Sequence, residues 1–194
     1  MPKKFRDGCQ HFRVIFTNRC FGLEAWIFQQ QRFADWTRDH SAIVHHVVNG
    51  FAAGADRNDL LQEVLLAVWK SIPAFRGQAK PTTYLYRVCH NAALLWTRTE
   101  KNYRRRVEQF GAFAPNEFAP DADSLTDERL ARLYSAIREL KPLERSLILM
   151  SLDGLGYREM AEVLGLSESN VGVKINRIKT QLTQTLKGNE HELR

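Results

Sequence analysis

Apolar residues in this chain recur at spacings of three and four, and no strand pattern competes with that period. That period sets them on one face of an α-helix and leaves no half-buried strand to pair, so the fold expected is all-α. From about Arg32, the residues Phe33, Trp36, Ile43, Val44, Val47, Val48 and Phe51 mark one such face, punctuated by Gly50 and Gly54. Leu60, Leu61, Val64, Leu65, Val68 and Trp69 mark a second, beginning near Asp56 or Asn58 and closed by Pro73. After a short loop, 75–81, Thr82 or Thr83 is expected to cap a third helix from about Tyr84 to Arg106, with Leu85, Val88, Ala92, Leu95 and Trp96 inward.

Between Val107 and Ser124 the period vanishes, and Gly111, Pro115, Pro120 and the acids Glu117, Asp121 and Asp123 read as a flexible linker. Helical spacing resumes with Leu125, Leu130, Leu133, Ile137 and Leu140, for which Ser124 is a good N-cap with Asp127 three residues on. Pro142 suits the first turn of the next helix, which carries Leu143, Leu147, Ile148 and Met150 and stops at Asp153 and Gly154. Two more helices are expected over about 157–164 and 168–186. The architecture expected is therefore two small helical domains, 32–106 and 125–187, joined by the linker 107–124, with a tail 188–194. Residues 1–31 carry Lys3, Lys4, Arg6, Arg13 and Arg19 against Asp7 and Glu24, without a clean period. They read as an unstructured extension or a start site placed too far upstream; Arg13, Arg19 and Glu24 interrupt every candidate secretory core.

Several function classes find no support. Cys9, Cys20 and Cys89 are odd in number and widely spaced, without the spacing of a zinc site or a disulfide framework. No apolar run approaches the roughly 18 residues of a membrane span. No Gly-rich phosphate loop, nucleophile elbow or metal-ligand spacing is present, so no catalytic residue, metal or cofactor is expected. His45 and His46 are adjacent and point to different sides of a helix. A reducing cytoplasm fits the cysteines, and 28 Lys+Arg against 22 Asp+Glu favour a polyanionic partner only loosely.

The most specific local signal is the segment 157–171. Two helices crossing steeply need a small residue where their axes approach and a positive φ in the turn, and Ala161 and Gly165 supply these. Met160, Leu164, Leu166 and Val171 fill the wedge, Ser167 caps the second helix, and Glu168 suits its first turn. That helix turns Val171, Ile175, Ile178, Leu182 and Leu186 inward and shows Ser169, Asn170, Lys174, Asn176, Arg177 and Lys179 outward. Amides, hydroxyls and cations on such a helix suit the major groove, where they reach base edges and phosphates.

Upstream, Asp56, Asp59, Gln62 and Glu63 lie opposite the apolar face of their helix. The next helix mixes Tyr84, Tyr86, Trp96 and Tyr103 with Arg87, His90, Asn91, Arg98, Lys101, Arg104, Arg105 and Arg106. Rings interleaved with cations suit single-stranded nucleic acid, the rings stacking on bases and the cations following the backbone. These features by themselves also fit a two-domain helix-turn-helix regulator with an N-terminal sensing domain.

The runs 59–69, 75–80 and 83–91 resemble region 2 of the extracytoplasmic-function sigma factors of bacterial RNA polymerase, and 140–182 resembles their region 4. The long third region of primary sigma factors is missing, as in that group. The resemblance implies a non-catalytic subunit that directs core polymerase, through the clamp of its largest subunit and the flap, to promoter DNA, with an anti-sigma factor as a further expected partner. It implies core docking by Asp59, Gln62, Glu63 and Val64. It places Phe75, Arg76, Lys80, Tyr84, Arg87, Asn91, Arg98, Arg104 and Arg105 at the −10 element, the loop 75–82 receiving a flipped base. It places Ser167, Ser169, Asn170, Lys174 and Arg177 at the −35 element. Tyr84 stands where the family usually has Trp and His90 where Arg is more usual; Pro81, Gly172 and Val173 also depart from the common pattern.

Overall fold

The computed structural model describes residues 8–109 and 128–191. Its helices are α1 (Gly8–Asp39), α2 (Ser41–Phe51), α3 (Asp56–Ser71), α4 (Pro81–Gln109), α5 (Glu128–Glu139), α6 (Pro142–Leu152), α7 (Tyr157–Leu164) and α8 (Glu168–His191), with one 3-10 turn, Ile72–Ala74, after α3. No strand occurs among the described residues. By contacts the chain divides into two units, 1–39 and 40–194.

The first unit is α1. It takes in residues 8–31, which read from the sequence as an unstructured extension. Periodicity reports a buried face, and here Leu23, Trp26, Ile27 and Phe28 are all exposed, so there was no stripe to read. Near its end Thr37 Oγ1 donates to Phe33 O at 2.8 Å, and Arg38 pairs with Asp35 at 2.8 Å and Asp39 at 2.9 Å. The single apolar face drawn from Phe33 to Phe51 is divided between two helices by a turn at His40.

In the second unit, α2, α3 and α4 pack on one another around Ile43, Val47, Phe51, Leu60, Val64, Val68, Leu85, Cys89 and Ala93. Asp56 and Asp59 sit in the first turn of α3, where its unpaired N–H groups favour negative charge. Helix α4 starts at Pro81, three residues before the expected Tyr84, because proline's fixed φ suits a first helical position; Thr83 is buried rather than capping. The far end of α4 reaches Gln109, inside the stretch assigned to the linker, while 110–127, with the expected cap Ser124, lies outside the described residues.

The inward face of α4 also differs from the expected one. Leu85 is buried, but its companions are Tyr86, Cys89, His90 and Ala93, whereas Leu95 is 66% exposed. Helix α4 is packed by α2 and α3 and also by α6 and α7, so two sets of neighbours share its circumference.

Helices α5 to α8 enclose Ile137, Leu147, Met150, Met160, Val171, Ile175, Ile178 and Leu182. Glu144 accepts the Lys141 backbone N–H at 3.2 Å ahead of Pro142, and Glu159 accepts that of Gly156 at 3.1 Å, each satisfying an N-terminal donor. Gly165 takes φ 67° and ψ 35° at the end of α7, as the tight turn requires. Ser167 Oγ accepts the Asn170 N–H at 3.3 Å and so caps α8.

These two helical groups, 41–109 and 128–191, pack against each other. Gly50 lets α2 approach α6 so closely that a Cβ there would lie 2.6 Å from Leu149 Cδ1. Around that contact Arg138 Nη1 donates to Asn49 O at 3.0 Å, the Arg145 guanidinium lies 5.6 Å from the Phe51 ring centre, and His46 Nδ1 lies 2.5 Å from Asp153 Oδ1. Ser146 Oγ is hydrogen-bonded to His90 Nδ1 in the buried interior.

Candidate functional site

Helix α3 presents Asp59, Gln62 and Glu63 to solvent at helical spacing, followed by the half-exposed Leu66. Val64, grouped with them in the sequence reading, is fully buried. It is a core residue, because position 64 falls on the stripe shared with Leu60 and Val68. Beside the acidic strip lies a groove of about 330 Å³ between α3 and α4, lined by Glu63, Leu66, Ala67, Lys70, Leu95 and Trp96 among others. Its apolar wall, Leu66 and Leu95, escaped the sequence reading because helical spacing had turned Leu95 inward.

Along α4, Tyr84, Arg87, Asn91, Arg98 and Arg105 follow one another by three, four, seven and seven residues, which keeps them in one stripe about 30 Å long. Asn91, Arg98 and Arg105 are exposed; the side chain of Arg104 lies outside the described ones. At the N-terminal end of the stripe Tyr84 donates from its hydroxyl to Ser71 O at 2.9 Å and packs against Phe75, ring centres 4.9 Å apart. These contacts tie the loop 75–80 to the end of α3, with Arg76 exposed on it.

Two members of the stripe's neighbourhood are engaged by α7. Lys80 Nζ lies 2.7 Å from Glu159 Oε1, which holds the carboxyl of Glu159 below and the ammonium of Lys80 above their ordinary ranges. Arg87 Nη2 donates to Glu162 O at 3.0 Å and lies 3.7 Å from Glu162 Oε1.

His90 does not belong to the basic surface. It is 6% exposed, and burial pushes its pKa down to about 4, so it is neutral near pH 7. Burial also pushes the Cys89 thiol up to about 12, which leaves it protonated and unreactive.

On α8, Ser169, Asn170 and Arg177 are exposed together, Lys174 is half-buried on the flank, and Ser167 stands at the helix start. Among the described residues there is no group of three or more His, Cys, Asp or Glu side chains able to hold a metal ion. No helix among them is long and apolar enough to cross a membrane.

An acidic strip, a cation-and-ring stripe and a helix-turn-helix thus stand in one chain. Residues 36–103 match the family description "Sigma-70 region 2" and residues 130–182 match "Sigma-70, region 4". The chain belongs to the extracytoplasmic-function group of sigma factors. It is 28% identical over 144 residues to RNA polymerase sigma factor YlaC of Bacillus subtilis, covering 70% of this chain and 80% of that protein. It is 27% identical over 147 residues to the ECF RNA polymerase sigma-E factor of Haemophilus influenzae, covering 66% and 72%. Its fold is shared with the sigma factor RpoE solved in complex with the anti-sigma factor NepR from Bartonella quintana, with a TM-score of 0.56, 18% identity, and coverage of 79% of this chain and 97% of that one.

As a sigma factor, the chain directs RNA polymerase to promoters and binds the core enzyme and promoter DNA. The region 2 match ends at residue 103 and the region 4 match starts at 130, so the Lys80–Glu159 and Arg87–Glu162 contacts join the two regions.

Proposed function

We infer that the three surfaces divide the work of initiation, each carrying out a distinct step. The strip Asp59, Gln62 and Glu63, with the groove edged by Leu66, docks on the clamp of the polymerase's largest subunit; region 4 meets the flap. The stripe Tyr84, Arg87, Asn91, Arg98 and Arg105, joined by Arg104 next in sequence, follows the opened −10 strand, with Phe75, Arg76 and Lys80 at the loop that takes a flipped base, a step that costs about a few kcal/mol in unstacking. Ser169, Asn170, Lys174 and Arg177 read the −35 element as duplex, with Ser167 at the head of their helix.

The observation that carries this reading is that the acidic strip is exposed on α3 and the cationic stripe on α4 of one helical group, while the reading face of α8 stands on the other. A protein bound through region 2 to polymerase can then hold an opened strand and a closed duplex at once. For that, the stretches 32–106 and 125–187 act as separable lobes about the linker 107–124, and the closed packing is the resting form. The chain acts without catalysis, in the cytoplasm where its polymerase works, and an anti-sigma factor restrains it as NepR partners RpoE.

Run-off transcription with purified core polymerase and a library of promoter variants tests the reading. Transcripts that require matched −10 and −35 elements and the added chain are expected. Tight, sequence-specific duplex binding by the chain alone, unchanged by core enzyme, overturns it in favour of a helix-turn-helix regulator.

A further inference from the structure

Helix α8 turns Val171, Ile175, Ile178 and Leu182 inward, and each is almost fully buried. Val173 is 66% exposed. Two residues on from Val171 lie about 200° around the helix, so Val173 occupies the middle of the outward face. Its neighbours at three and four residues, Ser169, Asn170, Asn176 and Arg177, are polar and exposed. The next residue back is oriented differently: a Cβ at Gly172 would lie 3.4 Å from Tyr157 Cε2, so Gly172 faces the ring of α7. That contact seats α8 on α7 and leaves Val173 directed away from both helices.

An isopropyl group at this place serves no core and, being β-branched, slightly lowers helix propensity. It has no donor or acceptor for a base edge or a phosphate. The major groove does offer one apolar feature, the C5-methyl group of thymine.

We propose that Val173 is a specificity residue of the −35 reader, packing its side chain on a thymine methyl while Asn170 and Arg177 bond to neighbouring groups. The proposal rests on α8 being the −35 reading helix and adds to it the base that one position prefers. Lys174, half-buried on the flank, is left to the phosphates.

The test replaces each thymine of a −35 duplex, on either strand, by uracil, which removes the methyl and leaves the hydrogen-bonding edge unchanged. Binding is measured with holoenzyme assembled from core polymerase and either the wild-type chain, Val173→Ala or Arg177→Ala. For wild type, one uracil position is expected to weaken binding about fourfold, the change that burying one methyl group brings. Val173→Ala is expected to bind the thymine and uracil duplexes alike at that position. The proposal is overturned if no uracil position weakens wild type, or if Val173→Ala keeps the full sensitivity. Loss of −35 binding by Arg177→Ala alongside either of those outcomes sinks the role of Val173 alone; unchanged binding by Arg177→Ala sinks the reading of α8 as well.

Discussion

Lys80 and Glu159 lie 79 positions apart in sequence and 2.7 Å apart in space, and the same carboxylate that meets the Lys80 ammonium also accepts the Gly156 N–H at the start of α7. With Arg87 bound to Glu162 one turn further along, the first helix of the helix-turn-helix holds two cations assigned to the −10 strand. The closed chain therefore offers that strand a stripe shortened at one end.

Freeing those cations is expected to change how the chain meets single-stranded DNA. Glu159→Gln keeps an acceptor for Gly156 and removes the charge facing Lys80; Glu162→Ala removes the carboxylate beside Arg87 and leaves its hydrogen bond to the Glu162 carbonyl. The double variant is expected to bind a −10 non-template oligonucleotide more tightly, with a log–log salt slope steeper by up to about 1.4 if both cations reach phosphates. Fluorescence anisotropy over a salt series measures it, and an unchanged slope means that the two carboxylates of α7 mask neither residue.

The approach of α2 to α6 gives a second expectation. A methyl group at Gly50 meets the side chain of Leu149, itself 1% exposed, so Gly50→Ala is expected to cost about 1–3 kcal/mol as overpacking. Leu149→Ala is expected to cost about 2–5 kcal/mol as a cavity. Because the added methyl fills part of that cavity, the double variant is expected to cost less than the sum in urea unfolding. Strict additivity places the two residues out of contact.

Glu63 and Val64 are adjacent in sequence and are expected to fail differently. Glu63→Lys is expected to leave stability within about 0.5 kcal/mol of wild type. It is also expected to weaken association with core polymerase about tenfold or more, the order of a reversed charge in a desolvated contact. Val64→Ala removes buried methyl groups and is expected to cost about 2 kcal/mol of folding free energy. Thermal unfolding beside a core-binding titration separates the two; normal assembly by Glu63→Lys removes it from the docking surface.

His90 carries the pH dependence that can be assigned with a sign. Its folded pKa, about 4, lies below the ordinary 6.5, so the unfolded chain takes up the proton first. The stability it contributes is complete above about pH 6.5 and is lost as pH falls towards about 4, to a total of about 3 kcal/mol. His46 has the opposite sign: its hydrogen bond to Asp153 raises its pKa, so its contribution is complete below about 6.5 and fades as pH climbs through the folded value. The difference in unfolding free energy between wild type and His90→Asn, followed from pH 7.5 to 4, is expected to shrink on acidification. A constant difference rules out a buried neutral imidazole.

The sequence by itself determined what depends on neighbours along the chain. The three-and-four spacing marked the helices from about Arg32 onward, Gly165 had to supply the left-handed turn, Pro142 opened α6, and Ser167 capped α8; each is a property of a few consecutive backbone groups. The exposed strip of α3 and the inward stripe of α8 were legible for the same reason, since each helix has its buried side on one arc. Tertiary structure decided the matters that a single helix leaves open. The buried arc of α4 passed to Tyr86, Cys89, His90 and Ala93 and not to Leu95, because helices from both groups compete for its surface. It also decided that Lys80 meets Glu159 and Gly50 meets Leu149, since packing between distant segments sums many weak contacts over shapes that no local pattern encodes.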